Sequence, residues 1–102
     1  MTDTSYKKQL FERYKDSVSK LEKAVAAKKK DKELISKCHK NYSEASEEFK
    51  KFYEDNSLFT NQKNNPDYDD YFITLSECVP KLQKIYAIYM LYKAIGKNIF
   101  IF

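Results

Sequence analysis

The chain has 102 residues, of which 33% are charged and 42% hydrophobic, and its formal net charge is +4. This length suits one small domain with a modest core, and one glycine and two prolines are too few turn residues for a β-sandwich or a loop-rich scaffold. The composition predicts a single helical domain over 1–102. We expect an all-α antiparallel helical bundle of three or four helices with coiled-coil-like packing.

The first helix is marked by apolar residues at three- and four-residue steps. They are Tyr6, Leu10, Tyr14, Val18, Leu21 and Val25. Thr4 or Ser5 can cap this helix, because a side-chain oxygen there satisfies the first free N–H groups. The pattern predicts an amphipathic helix over about 4–29 with one buried stripe.

The lysine-rich stretch 26–33 interrupts that stripe without containing a helix breaker. Two structures remain open for it. Either Asp31 is an N-cap after a tight turn, or one long N-terminal helix runs from about 4 to about 56. The absence of Gly, Pro, Asn and Ser between 21 and 35 slightly favours the continuous helix.

A heptad pattern follows the lysines and predicts a helix over about 32–56. Its apolar positions alternate by three and four residues: Ile35, Cys38, Tyr42, Ala45, Phe49 and Phe52, with Phe59 as the next in the series. Such a seam is typical of a coiled coil or a helical bundle.

The stretch 57–65 is rich in asparagine and predicts the main loop. Asn65 followed by Pro66 predicts a helix start, with Asn65 as the N-cap and the proline in the first helical position. We expect a helix over 66–78. Because a proline costs an interior helix about 3 kcal/mol, Pro80 is expected to kink this helix or to end it.

A second helix over 80–95 then has no polar side, since the two charges between Leu82 and Ile95, Lys84 and Lys93, project to opposite sides. This predicts a central apolar helix, capped by Gly96 and wrapped by the charged helices. The apolar tail 97–102 is expected to pack on the bundle or on a neighbour. A transmembrane span is disfavoured, because spanning takes about 20 mostly uncharged residues.

Charge is segregated along the chain. Residues 7–40 carry twelve Lys or Arg against five Asp or Glu, residues 41–80 carry three against nine, and residues 81–102 carry four and none. Consecutive blocks of opposite sign indicate helices with complementary faces, although solvated faces explain the same pattern.

Residues suited to catalysis are few. His39 has no serine, aspartate or cysteine in a catalytic spacing, and we expect it on a solvated helix surface. With Cys38 and Cys78 it offers three metal ligands at most, without the usual spacing. No glycine-rich loop is present to hold a phosphate. We therefore predict no enzyme, no metal and no cofactor, and we expect the cysteines to be small buried residues rather than a disulfide.

Lysines form the first candidate binding surface. Lys23, Lys30 and Lys37 repeat every seven residues as a ridge, with Lys28 and Lys29 close by. The ridge suits anionic lipid headgroups or a nucleic-acid backbone, but a single arginine in the chain disfavours nucleic acid. A solvated face is the ordinary alternative.

Aromatic residues form the second candidate surface. The predicted partner-binding set is Tyr42, Phe49, Phe52, Tyr86, Tyr89 and Tyr92. Tyrosine suits a half-wet interface, because it combines a large apolar body with a polar tip. Burial in the core is the competing explanation for the same residues.

Together these features favour a non-catalytic protein–protein interaction module that acts through helix packing, as an assembly subunit, adaptor or inhibitor. We expect a protein partner, self-association into a homo-oligomer and no small-molecule substrate. A helical protein associated with a membrane surface is the alternative, and a weak, non-specific nucleic-acid binder is the third hypothesis. With no secretory signal at the N-terminus, we expect a cytoplasmic location, or one peripheral to a membrane.

Overall fold

A computed structural model describes residues 4–58 and 65–96. This part of the chain forms three α-helices, α1 (Thr4–Ala26), α2 (Lys32–Asp55) and α3 (Pro66–Ala94). The helices pack against one another, so the prediction of an all-α bundle is confirmed. Phe59, most of the predicted loop and the tail 97–102 lie outside the described residues.

α1 and α3 run parallel, as polar contacts along their length show. Lys7 Nζ in the first turns of α1 lies 3.1 Å from Asp67 Oδ1 and 2.6 Å from Asp70 Oδ2 at the start of α3. Further on, Lys84 Nζ at the other end of the interface lies 2.9 Å from Glu22 Oε2. Arg13 pairs with Glu44 and Glu48 near the middle of α2.

The segment 27–31 is a turn, so the slight preference for one continuous helix was wrong. Asp31 is the N-cap of α2, and its carboxylate accepts hydrogen bonds from the N–H groups of Glu33 (3.1 Å) and Leu34 (3.2 Å). The helix propensity of the residues in this segment is only a weak preference, and the burial of apolar side chains between packed helices overrides it here. Folding back at the turn buries Val25 and Ile35 completely.

α3 continues through Pro80 as one helix, so the expectation of two separate helices over 66–78 and 80–95 is wrong. Lys15 lies 3.7 Å from Glu77 before the proline, and the Nζ of Lys81 donates a 2.8 Å hydrogen bond to the Oγ of Ser19 after it. Both contacts join residues 62 positions apart, as Glu22 and Lys84 do, so the register with α1 is kept across Pro80. Pro80 and Ser76 are exposed, and water can therefore bond the carbonyl group that the proline leaves free.

The central helix is α1 and not the predicted segment 80–95. α1 packs against both α2 and α3 and contributes the largest share of the core. From Leu82 to Ile95 only Ile85 is buried. The apolar residues on every side of segment 80–95 correctly indicated a helix. α1 and α2 do not enclose this segment, because α3 continues past the end of α1.

The core stripes are largely as predicted. In α1 the stripe is buried except at Tyr6, and in α2 the heptad positions are buried or half-buried. Phe11, Ser17 and Leu58 are also buried, although the stripes did not include them. The Ser17 hydroxyl donates a 2.7 Å hydrogen bond to the Tyr14 carbonyl, which lets a polar residue occupy the core.

Three stacked rings join the three helices. The ring of Phe49 lies between those of Tyr14 and Tyr71, with both centroid distances 4.1 Å and interplanar angles of 3° and 10°. Phe11 packs edge-on against Phe49 and Phe52, at 5.3 and 5.1 Å. We call the end of the bundle that holds Tyr14, Phe49 and Tyr71 the ring-stack end.

Candidate functional site

An apolar groove lies between α2 and α3. Its volume is about 700 Å³, and it is open to solvent along one side. It is lined by side chains from all three helices: Leu21, His39, Tyr42, Val79, Leu82, Gln83, Ile85, Tyr86 and Tyr89. Seven of these nine residues are apolar or aromatic, so the groove is suited to an apolar ligand surface.

The groove exists because the spacing of α2 and α3 changes along the bundle. At the ring-stack end their rings pack directly, since Tyr53 lies 5.1 Å from Tyr71 and 6.0 Å from Phe72. Farther along α3, the groove opens between the two helices, and Leu21 of α1 forms its buried floor. A fourth helix would occupy this position in a larger bundle.

Three of the predicted partner-binding residues line the groove. Tyr42 and Tyr89 are half-buried, and Tyr86 is 64% exposed. Tyr92 lies farther along α3, where the Nζ of Lys30 is 5.3 Å from its ring centroid. These side chains are therefore accessible to a partner.

Phe49 and Phe52 are not accessible, and their assignment to a partner surface was wrong. Phe49 is 2% exposed inside the ring stack, and Phe52 packs on Phe11. The heptad pattern correctly indicated that both face a neighbouring helix. Because the chain folds back at 27–31, that neighbour is its own α1 rather than another protein.

His39 lies half-buried at the edge of the groove instead of on a solvated surface. Its ring centroid is 6.4 Å from that of Tyr42. Burial lowers the pKa of His39 below its ordinary value of 6.5, because the charged imidazolium loses hydration there. The groove wall therefore has no charged side chain at neutral pH, and His39 is accompanied there by the polar but uncharged Gln83.

The predicted lysine ridge does not lie on one helix. Lys23 belongs to α1 and Lys37 to α2, while Lys28, Lys29 and Lys30 lie in the connection between them. The turn nevertheless keeps all five at one end of the bundle, where they are exposed or, for Lys30, half-buried. Lys30 donates a 2.7 Å hydrogen bond to the carbonyl of Ala27 at the end of α1.

The sequence analysis did not select Val79, which lines the groove, or Met90, which is exposed farther along α3. Val79 and Met90 are 39% and 43% exposed. The signal was present, because Val79, Tyr86 and Met90 follow helical steps of seven and four. Treating Pro80 as a helix boundary separated Val79 from the rest of the pattern.

The remaining reactive groups are dispersed. Cys38 and Cys78 are both free thiols; Cys78 is buried, as predicted, whereas Cys38 is half-buried, and burial raises the pKa of the Cys78 thiol. Within residues 4–58 and 65–96, no three metal-ligating side chains come together. None of the helices formed by these residues is long and apolar enough to cross a membrane.

Comparison with known proteins assigns no role to these features. No protein-family model, curated protein or solved structure matches the chain significantly.

Proposed function

We propose that this protein is a non-catalytic interaction module whose groove binds the apolar face of a partner helix. The observation that carries the proposal is the groove itself, with exposed Tyr86, half-buried Tyr42 and Tyr89, and a buried apolar floor. Amphipathic helices bind such grooves by placing residues at steps of three and four into the apolar surface. Tyrosine is favoured at such surfaces, because it combines a large apolar contact area with a polar tip.

The charge around the groove favours a partner helix with acidic flanks. Lys93 follows the groove residues Tyr86 and Tyr89 on α3 at helical steps of seven and four, and Lys37 and Lys40 flank His39 on α2, whereas Lys84 is paired with Glu22. Complementary charges raise the association rate and select against wrong partners. Two copies meeting groove to groove would bring these lysines together, so charge opposes self-association through this surface. Self-association through another face stays a prediction, measured by light scattering across concentration.

The proposal is tested by selecting binders from a displayed library of helical peptides. We expect the protein to enrich peptides with an apolar stripe and acidic flanks, because these complement the groove and its lysines. Tyr86→Asp should remove the enrichment, since it places a charge in the groove wall. Ile73→Asp is the matched control, because Ile73 is 59% exposed on the same helix but lies outside the groove.

Equal enrichment by the protein and by its Tyr86→Asp variant would contradict the proposal. So would equal losses from Tyr86→Asp and Ile73→Asp, which would show only that a new charge on α3 disturbs binding. Circular dichroism checks that both variants keep their helices, and exposure of both side chains indicates that they will.

A further inference from the structure

The end of α3 extends past the end of α1. Glu22 is level with Lys84, and the same spacing places Ala26, the last residue of α1, level with Ile88. α3 continues to Ala94, six residues farther, which is about 9 Å at 1.5 Å per residue. We call this projecting end, residues 89–96, together with the 27–31 turn beside it, the tip. The contact of Lys30 with the Tyr92 ring holds the two parts together.

Large apolar side chains are exposed on more than one side of the projecting end. Leu91 and Ile95, four residues apart, lie on one side and are 60% and 58% exposed. Met90, which is 43% exposed, lies about 100° from Leu91 and about 140° from Ile95 around the helix. A protein groove covers one side of a helix, whereas a lipid layer surrounds an inserted end from all sides.

A concentration of positive charge borders these apolar residues. Residues 23–37 and 88–96 contain seven lysines against two carboxylates. One of the two carboxylates, that of Asp31, is bound to the backbone N–H groups of Glu33 and Leu34. Lysines beside exposed apolar residues are the combination that complements an anionic membrane surface.

We propose that the tip binds anionic membranes, with Leu91 and Ile95 inserted among the lipids and the turn lysines on the headgroups. The projection of about 9 Å matches the depth of about 5–10 Å at which interfacial helices bury their apolar face. Tyr89, at the start of the projecting end, then lies at the level of the headgroups, where tyrosine is enriched in membrane proteins. Leu91 and Ile95 are not among the residues that line the groove, so the two proposals can fail separately.

The first test is flotation of the whole chain with vesicles of phosphatidylcholine, alone or with about one third phosphatidylserine. We expect binding only to the anionic vesicles at about 0.1 M salt, and its loss at about 1 M salt, where the Debye length falls to about 3 Å. The triple change Lys28→Gln, Lys29→Gln and Lys30→Gln should weaken binding on the order of 100-fold, because each lysine contributes about fivefold. Lys50→Gln with Lys51→Gln, at the ring-stack end, should have little effect.

Insertion is tested separately from charge. Leu91→Asp should weaken vesicle binding by about tenfold or more, while Ile73→Asp should not, although both leucine and isoleucine are exposed on α3. The chain has no tryptophan, so a single introduced one is a clean fluorescent probe. Leu91→Trp should shift its emission to the blue on anionic vesicles, and Ile73→Trp should not.

Three results would overturn the proposal. The first is absence of binding to phosphatidylserine vesicles at low salt. The second is equal weakening by Leu91→Asp and Ile73→Asp. The third is binding to duplex DNA as tight as to vesicles with no blue shift of Leu91→Trp, which would identify a general polyanion surface without insertion.

Discussion

The two ends of this bundle use aromatic residues in opposite ways. At the ring-stack end, Tyr14, Phe49 and Tyr71 come from three helices and stack at centroid distances of 4.1 Å, so their apolar surface is buried between the helices and holds them together. Toward the tip, Tyr86 and its apolar neighbours on α3 remain exposed. The first end stabilises the fold, and the second leaves large apolar side chains exposed.

The difference follows from the lengths of the helices. The three helices overlap at the ring-stack end, where each ring has neighbours on two sides. At the tip α3 extends beyond the end of α1, and the described residues form no further helix that could cover it. Exposed large apolar patches on a small protein generally mark interaction sites. The following predictions test this division, from the largest expected effect to the smallest.

Phe49→Ala should cause the largest loss of stability. Removing this ring from the centre of the stack leaves a cavity, and such changes cost about 3–5 kcal/mol in the free energy of unfolding. Leu91→Ala at the tip should cost less than about 0.5 kcal/mol, because Leu91 is already exposed. Urea denaturation followed by circular dichroism measures both. Equal losses would show that the tip is part of the structural core, which would end the distinction between the two regions.

Pro80→Ala should stabilise the protein by about 2 kcal/mol. An interior proline costs a helix about 3 kcal/mol, which its replacement recovers. About 1 kcal/mol of this gain is lost again, because the unfolded chain has more conformational entropy with alanine than with proline. Pro80 lies between the two regions, so amide exchange in α3 beyond it should also slow. The exposed neighbour Ser76→Ala is the control, with a smaller gain expected. A loss of stability in Pro80→Ala would mean that α3 depends on the proline.

Asp31→Ala should cost about 1 kcal/mol, because it removes the N-cap of α2. Asp31→Asn is the matched control, since asparagine caps about as well. This pair asks whether the turn that forms the tip also stabilises the hairpin of α1 and α2. If alanine and asparagine give the same thermal midpoint, the two bonds from Glu33 and Leu34 contribute nothing measurable.

The smallest effect concerns pH. Burial lowers the pKa of His39, so the folded protein binds a proton there less readily than the unfolded chain, whose ordinary value is 6.5. The stability that His39 contributes is therefore present above about pH 6.5 and is lost as the pH falls below it. His39→Gln should show a smaller loss of stability between pH 7.5 and 5 than the unchanged protein. Parallel pH profiles for the two would place His39 in a fully solvated position.

Much of the fold follows from local patterns. The three- and four-residue steps in α1 and the heptad of α2 located the buried stripes, because a helix repeats its faces every 3.6 residues wherever it packs. Asn65 is the N-cap of α3, with its side chain accepting from the N–H of Asp67 at 3.0 Å, as the Asn65–Pro66 pair predicted. Caps and stripes depend on neighbouring residues, and so they are readable without the rest of the molecule.

The candidate site was predictable only in part. Tyr42, Tyr86 and Tyr89 were selected for their chemistry and do line the groove, but Phe49 and Phe52 have the same chemistry and are buried. Periodicity shows that a residue faces a neighbour without showing which neighbour. That answer depended on whether the chain turns at 27–31.

The amino-acid order was therefore sufficient for the helical class and for the buried stripes of α1 and α2. Tertiary structure decided that α1 is central, that α3 runs through Pro80 and that the lysines and the exposed end of α3 meet at one tip. The reason is physical. Helix periodicity and capping arise from interactions between residues that are close in the sequence. The turn at 27–31 and the continuity of α3 at Pro80 depend instead on burial against residues tens of positions away in the chain.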